Sequence, residues 1–294
     1  MKRILLGGRK FNMKVLENGA VITRAFNNNL ALVKIKGKEK IIFSKGIGFG
    51  KKFGDKIEAG TQYDKIFSIE DEDNVRNLEK VVERVNDEFF AICEEAILDI
   101  SKEVKGELSE NIHVGLIDHL FFAVKRIESN EEIQNPFLNE IEAFYEKEFK
   151  LAKMVAEKVG QAVNVIIPEG EIGFITLHIH SAINDGQLSN TMKCNYLSNT
   201  LVEYVEDNLK IEIDRKSIDY NRFITHIRFA LQRILRSEKV KNDLADIIEV
   251  KYPLSFKIAK ECGGIIEKYL LFKVSYEEIA YLALHIERFR VSLN

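Results

Sequence analysis

Asp118-His119-Leu120-Phe121-Phe122-Ala123-Val124-Lys125-Arg126-Ile127 recurs 107 residues later as Thr225-His226-Ile227-Arg228-Phe229-Ala230-Leu231-Gln232-Arg233-Ile234. A second block obeys the same offset: Glu171-Ile172-Gly173-Phe174-Ile175-Thr176-Leu177-His178-Ile179 returns as Glu278-Ile279-Ala280-Tyr281-Leu282-Ala283-Leu284-His285-Ile286. Two blocks that share one offset mark a tandem duplication, in which each copy carries two histidines 59 residues apart. Four of the six histidines therefore occupy equivalent places, and only His113 and His180 lack a counterpart.

The copies read as helical. Stretches 74–100, 139–159, 197–209 and 254–272 combine apolar residues at three-to-four spacing with Glu and Lys between them, and the whole chain holds three prolines. Ser275-x-x-Glu278 is a capping box that starts a helix at Tyr276 and places His285 in its third turn. The first copy has Pro168 where the second has Ser275. His119 precedes Arg126 by seven residues, His226 precedes Arg233 by seven, and Glu171 and Glu278 precede His178 and His285 by seven. Seven residues is almost two turns, so each pair shares a helical stripe. An arginine beside a histidine suits chemistry that puts a phosphoryl group on the imidazole, because guanidinium binds phosphate through two parallel hydrogen bonds.

Ahead of the duplication lies a segment of different character. Val21-Ile22-Thr23, Leu30-Ala31-Leu32-Val33, Ile41-Ile42-Phe43 and Lys65-Ile66-Phe67 are short β-type runs, separated by Asn27-Asn28-Asn29, Lys36-Gly37-Lys38 and Lys45-Gly46-Ile47-Gly48-Phe49-Gly50 as turns. The expected architecture is a small antiparallel β domain over 1–67, followed by two duplicated all-α helical bundles over 68–184 and 185–294. About 60 residues bury little surface, so a head of this size is expected to gain core by dimerising.

Charge divides along the same line. Residues 1–67 hold 15 Lys+Arg against 5 Asp+Glu, a net of +10, and the remainder holds 28 against 41, a net of −13. A basic head on an acidic body points to a polyanion as the head's partner. Gly46-x-Gly48-x-Gly50-Lys51-Lys52 is no phosphate-cradling nucleotide loop, since position 52 is Lys rather than Ser or Thr and no helix is signalled after it. An aromatic, cations and amides around a close-approaching backbone are instead the mixture that grips looped RNA. A Gly-rich turn with Phe49 in the core is the structural alternative.

Other classes are excluded. No window approaches the ~18 apolar residues of a membrane span, Ile4-Leu5-Leu6 is too short for a signal peptide, and the chain is expected to be cytoplasmic. Cys93, Cys194 and Cys262 are far apart and read as buried spectators, so neither a disulfide framework nor a thiolate metal site is expected. Metal binding through the histidines would prefer H-x₃-H, and nucleophilic catalysis would need a motif such as G-x-S-x-G; neither is present. No cofactor, metal or catalytic residue is expected.

Asn27-Asn28-Asn29, Ser44-Lys45-Gly46-Ile47-Gly48-Phe49-Gly50-Lys51-Lys52 and the two histidine-bearing blocks together resemble the BglG/SacY-type transcriptional antiterminators regulated by the sugar phosphotransferase system. Asn135-Pro136-Phe137-Leu138 and the run from Pro168 through Ala182 look most like the glucose-responsive GlcT branch. The resemblance covers roughly 21–294. It implies a co-antiterminator (CAT) domain that dimerises on an antiterminator hairpin in nascent mRNA, followed by two phosphotransferase regulation domains (PRDs). Carried over by position, RNA contacts fall on Arg24, Asn27, Asn29, Ser44, Lys45, Gly46 and Phe49, and phosphorylation on His119, His178, His226 and His285. HPr and a sugar-specific Enzyme II are the implied partners, the target a glucose transporter gene, and the protein no enzyme. Family members usually begin just before the Asn-rich turn, so residues 1–20 are an extension with a possible start at Met13. Phe26 stands where the family has an aliphatic residue. The rival readings are a DNA-binding activator carrying the same regulatory domains, for which the head leaves no room for a helix-turn-helix, and a phosphotransfer protein.

Overall fold

The computed structural model describes residues 14–131, 133–135, 137–184, 188–215 and 217–291, so Met13 and Pro136 lie outside the described residues. Its contacts divide the chain into two compact units, one of residues 1–138 and 145–186, the other of 139–144 and 187–294.

The first unit begins with β1 (Lys14–Val15), β2 (Ala20–Asn27), β3 (Leu30–Ile35), β4 (Lys38–Phe43), β5 (Lys56–Ile57), β6 (Gln62–Tyr63) and β7 (Lys65–Ile69). All pairings are antiparallel. Five strands form one sheet in the order β5-β2-β3-β4-β7, and β1 pairs with β6 in a two-stranded sheet. Lys36 and Gly37 both have positive φ (51° and 82°) and close the β3–β4 hairpin in two residues, the geometry whose twist matches the flanking strands. The face carrying Leu16, Ile22, Val33 and Ile42 is buried.

Five helices of the first repeat follow: α1 (Glu72–Arg84), α2 (Asp87–Glu103), α3 (Ile112–Glu128), α5 (Glu146–Val163) and α6 (Glu169–Ile183), with a short α4 (Leu138–Phe144) between α3 and α5. The apolar stretch at 74–100 is two helices rather than one. Asn86 leaves the helical conformation and its side chain accepts from the Phe89 N–H, so it starts a new helix where the periodicity continues unbroken. Stretch 139–159 divides likewise, at Tyr145. Phe26 stacks on Phe90 of α2 with ring centroids 4.1 Å apart, and Phe67 of β7 packs on His113 of α3 at 4.6 Å. The aromatic at position 26 thus fastens the β head to the first helical repeat.

The second unit holds α7 (Leu188–Leu209), α8 (Ile218–Leu235), α9 (Ala245–Lys251), α10 (Pro253–Leu270) and α11 (Tyr276–Val291), together with residues 139–144. Tyr220 donates to Glu140 at 2.8 Å and Arg228 to the Phe144 carbonyl at 3.2 Å, so α4 supplies part of this unit's packing. The offset of 107 now extends over the helix pairs α3/α8, α4/α9, α5/α10 and α6/α11. Among the described residues no helix is long and apolar enough to cross a membrane, and none of the three cysteines forms a disulfide.

Candidate functional site

Each repeat builds the same four-residue cluster where its third and sixth helices, or their copies, pack together. In the first, His119 and Arg126 on α3 both face Glu171 on α6. Arg126 donates from Nε at 3.1 Å and from Nη2 at 2.8 Å, both to Glu171 Oε1. His119 Nε2 lies 3.1 Å from Glu171 Oε2, off the hydrogen-bond direction, so both atoms are buried without an aligned partner. His178, two turns along α6 from Glu171, places its ring 5.1 Å from that of His119. In the second repeat Arg233 donates to Glu278 at 2.6 and 2.8 Å, His226 Nε2 stands 3.8 Å from Glu278 Oε2, and the His226 and His285 rings are 4.9 Å apart.

The shared stripes put these residues together, but the arginines do not serve the imidazoles. Arg126 and Arg233 are committed to the buried carboxylates. Of the Ser275/Glu278 capping box only the serine half forms: the Glu278 N–H donates to Ser275 Oγ at 3.3 Å, while the Glu278 carboxylate accepts from Arg233. Burial pushes the Glu171 carboxyl up, and contact with His119 and Arg126 more than offsets this, holding it below the ordinary carboxylate range. Glu171 therefore stays ionised, a fixed negative charge under the histidine pair.

Three of the imidazoles, His178, His226 and His285, are poised as neutral nucleophiles. Burial, followed by the neighbouring His119, pushes His178 down to about 3. Burial and Arg233 push His226 down to about 4, and burial, His226, Arg288 and Arg222 push His285 to about 4 against the opposing effect of Asp219. A neutral ring keeps one nitrogen lone pair free at neutral pH, which phosphoryl acceptance requires. The copies differ in one packing detail. Gly115 sits against His178, where an added Cβ would meet Nδ1 at 3.2 Å, and the equivalent residue of the second repeat is Arg222. His113 and His180 stand apart from these clusters, paired at 2.9 Å with Glu94 and Glu148.

The second candidate surface is on the β head. The Asn27–Asn29 turn and the 44–50 loop are knitted together: Asn29 Nα donates to Asn27 Oδ1 at 2.8 Å, the Gly46 N–H to Asn29 Oδ1 at 3.0 Å, and the Ser44 N–H to the Asn29 carbonyl at 3.0 Å. Gly48 lets the two cross, since a Cβ there would lie 2.2 Å from the Asn27 carbonyl oxygen. Phe49 is 71% exposed rather than in the core, and Lys45 is exposed beside it. Asn29, Ser44, Lys45, Gly46 and Phe49 thus form one patch. Arg24 and Asn27 are turned to the first repeat: Arg24 binds Asp87 and the Val82 carbonyl at 2.8 and 2.9 Å, and Asn27 Nδ2 reaches Glu95 at 3.4 Å.

Sequence reasoning missed a groove beside this patch, of about 1070 Å³, to which Lys14, Lys51, Lys56 and Tyr63 contribute along with Ser44 and Lys45. It forms because β1 pairs with β6, a two-residue pairing without a periodicity to detect. The exposed Phe53 (82%) was also missed, although its place beside Lys51-Lys52 signalled it.

Comparison with known proteins gives a consistent picture. The CAT RNA binding domain family matches residues 20–76, and the PRD domain family matches 94–182 and 199–289. The chain is 33% identical over 274 residues to Protein GlcT of Staphylococcus saprophyticus subsp. saprophyticus, covering 92% of this chain and 98% of the relative. It is 32% identical over 277 residues to Protein GlcT of Staphylococcus aureus (strain JH9), covering 93% and 98%. Among solved structures, the crystal structure of GlcT CAT-PRDI is similar at 37% identity and a TM-score of 0.49, over 57% of this chain and 99% of that one.

Proposed function

The chain belongs to the GlcT antiterminator family, with a CAT RNA-binding domain followed by two PRD domains, and from that premise we propose that it binds an antiterminator hairpin under the control of histidine phosphorylation. As a homodimer it grips the hairpin in nascent mRNA, which keeps the overlapping terminator from folding, and transcription continues into a glucose transporter gene. The RNA-binding residues are Arg24, Asn27, Asn29, Ser44, Lys45, Gly46 and Phe49. The phosphoryl acceptors are His119 and His178 for the sugar-specific Enzyme II, and His226 and His285 for HPr. The division into 1–67, 68–184 and 185–294 is part of the same proposal.

The observation that carries this reading is the duplicated imidazole pair, 5.1 and 4.9 Å between rings, each over a buried carboxylate clamped by arginine. A phosphoryl group adds close to two negative charges, and beside the fixed Glu171 or Glu278 it forces a local rearrangement that a packed helical domain transmits. The contacts of Arg24 and Asn27 with Asp87, Val82 and Glu95 supply a route to the head, because residues that would meet RNA are held by the first repeat. Coupling of ~1–3 kcal/mol between the two events is what such linkage typically delivers.

The test is phosphate transfer from purified HPr and candidate Enzyme II proteins to the full chain, with phosphosites mapped under mild alkali, joined to a gel shift on the candidate hairpin and on duplex DNA. Phosphorylation of the four named histidines and preference for the hairpin are expected. Absence of phosphate on all four, or equal binding of duplex DNA, would refute the proposal.

A further inference from the structure

The two histidine clusters share their arginine–glutamate clamp, yet their surroundings carry different charge. Around the first pair, the equivalent positions hold Gly115, Asp118 and Ser181; around the second they hold Arg222, Thr225 and Arg288. The second repeat has therefore gained two cations and lost one anion beside its imidazoles. Arg84, which reaches the first repeat's Asp118, is already bound to it.

Geometry places the added arginines usefully. Arg222 and Thr225 line a cleft of about 450 Å³ together with His226, Phe229 and His285. Arg222 precedes His226 by one helical turn on α8, and Arg288 follows His285 by three residues on α11, so each side chain starts on the face that carries its histidine. Arg222 is 59% exposed and its nearest carboxylate, Asp219, stands 3.8 Å away, too far for a hydrogen bond. Arg288 is exposed and has no ion pair among the described residues. Unlike Arg233, which is locked on Glu278, both are free to turn. His285 Nδ1 is buried with no partner, which leaves Nε2 as the nitrogen open to an incoming group.

We infer that Arg222 and Arg288 form a phosphoryl-binding pair that holds the group once it is on His285, a function the first repeat lacks. The inference rests on the proposal that these imidazoles accept phosphate, and deepens it: the second repeat is built to retain a phosphoryl dianion in ion pairs, whereas the first offers the group Asp118 and an Arg84 already bound to it. In the step itself, the Nε2 lone pair attacks phosphorus and the bond from phosphorus to the donor nitrogen breaks. The proton on the buried His285 Nδ1 stays on the ring, and the departing donor nitrogen keeps the electron pair of the broken bond. Charge-assisted hydrogen bonds from guanidinium then favour the fully ionised phosphoryl group over its singly protonated form.

Phosphoramidate, a small chemical donor whose leaving group is ammonia, tests this on the full chain without any partner protein. Phosphorus NMR follows the second ionisation of each phosphohistidine, with His285→Gln used to assign the resonance. The phosphoryl group on His285 is expected to ionise about one pH unit below that on His178, a tenfold weaker hold on its proton. Arg222→Gln/Arg288→Gln should bring the two titrations together, and Arg222→Lys/Arg288→Lys, which keeps the charge but loses the planar fork, should fall between. Both arginines are exposed, so the variants keep the fold, and circular dichroism checks it. Coincident titrations in the wild-type chain, an unchanged titration in the glutamine variant, or no phosphoryl group on His285 would each overturn the inference. A chain labelled by phosphoramidate but never by HPr defeats the regulatory proposal instead, and the arginines are still judged by the titration.

Discussion

Arg126→Met isolates the clamp on which the first histidine pair rests. Glu171 has 1% of its side chain exposed and receives both Arg126 hydrogen bonds on a single oxygen, while Arg126 itself is 24% exposed. Removing one partner of a buried ion pair costs about 3–5 kcal/mol, because the remaining charge is left uncompensated. The partial exposure of Arg126 lets water into the space it vacates, which brings the expected loss to about 2–3 kcal/mol. With a urea m-value of roughly 1–3 kcal/mol/M, that lowers the midpoint by about 1–2 M. The chain has no tryptophan, so far-ultraviolet circular dichroism is the probe. Because the chain forms two compact units, two transitions are expected, of which only the one carrying the first repeat should move, while Arg233→Met moves the other. Adding Glu171→Gln to Arg126→Met should recover most of the loss. A midpoint shift under about 0.3 M, or a double variant as weak as the single one, would refute the reasoning.

Acid should weaken the fold through its buried imidazoles. His178, at about 3, and His226 and His285, at about 4, lie below the ordinary 6.5, so between these values the unfolded chain binds protons that the folded chain refuses. Their stabilisation is complete above the unfolded value and is lost as pH falls from about 6.5 towards 4, and the melting temperature should drop across that window. A melting temperature flat down to about pH 5 contradicts it, and His226→Gln/His285→Gln should flatten the dependence. Phe49→Ala should leave stability unchanged, since the ring is 71% exposed, and weaken hairpin binding by at least about fivefold in a gel shift, the low end for loss of one stacked base. Asp87→Asn/Glu95→Gln releases Arg24 and Asn27 from the first repeat and should tighten hairpin binding several-fold; unchanged or weaker binding would show that these contacts do not compete with RNA.

What could be read from the sequence was whatever repeats at a fixed spacing. The 107-residue offset located four imidazoles, and their seven-residue stripes located the arginines and glutamates, because a helix brings such positions onto one face whatever the tertiary structure. It could not say which side chains would pair across helices. From α3 alone Arg126 belongs to His119, and only the arrival of α6 hands it to Glu171. A buried carboxylate binds guanidinium in preference to a neutral ring, so partner choice depended on a residue 45 positions away. The same limit hid the break at Asn86, where the apolar period runs straight through a capping residue, and the fate of Phe26, whose partner Phe90 lies on α2, far along the chain. On the head, the turns were legible from Asn and Gly, but the engagement of Arg24 by Asp87 was not. On the proposed function, these contacts between elements are where regulation would act: a site confined to one helix could accept a phosphoryl group, but only pairings between elements could report it elsewhere. The duplication sharpens this point, because positions where the copies agree, Arg126/Arg233 and Glu171/Glu278, hold the helices together, while positions where they differ, Gly115/Arg222 and Ser181/Arg288, sit at the imidazoles and change what each pair can hold.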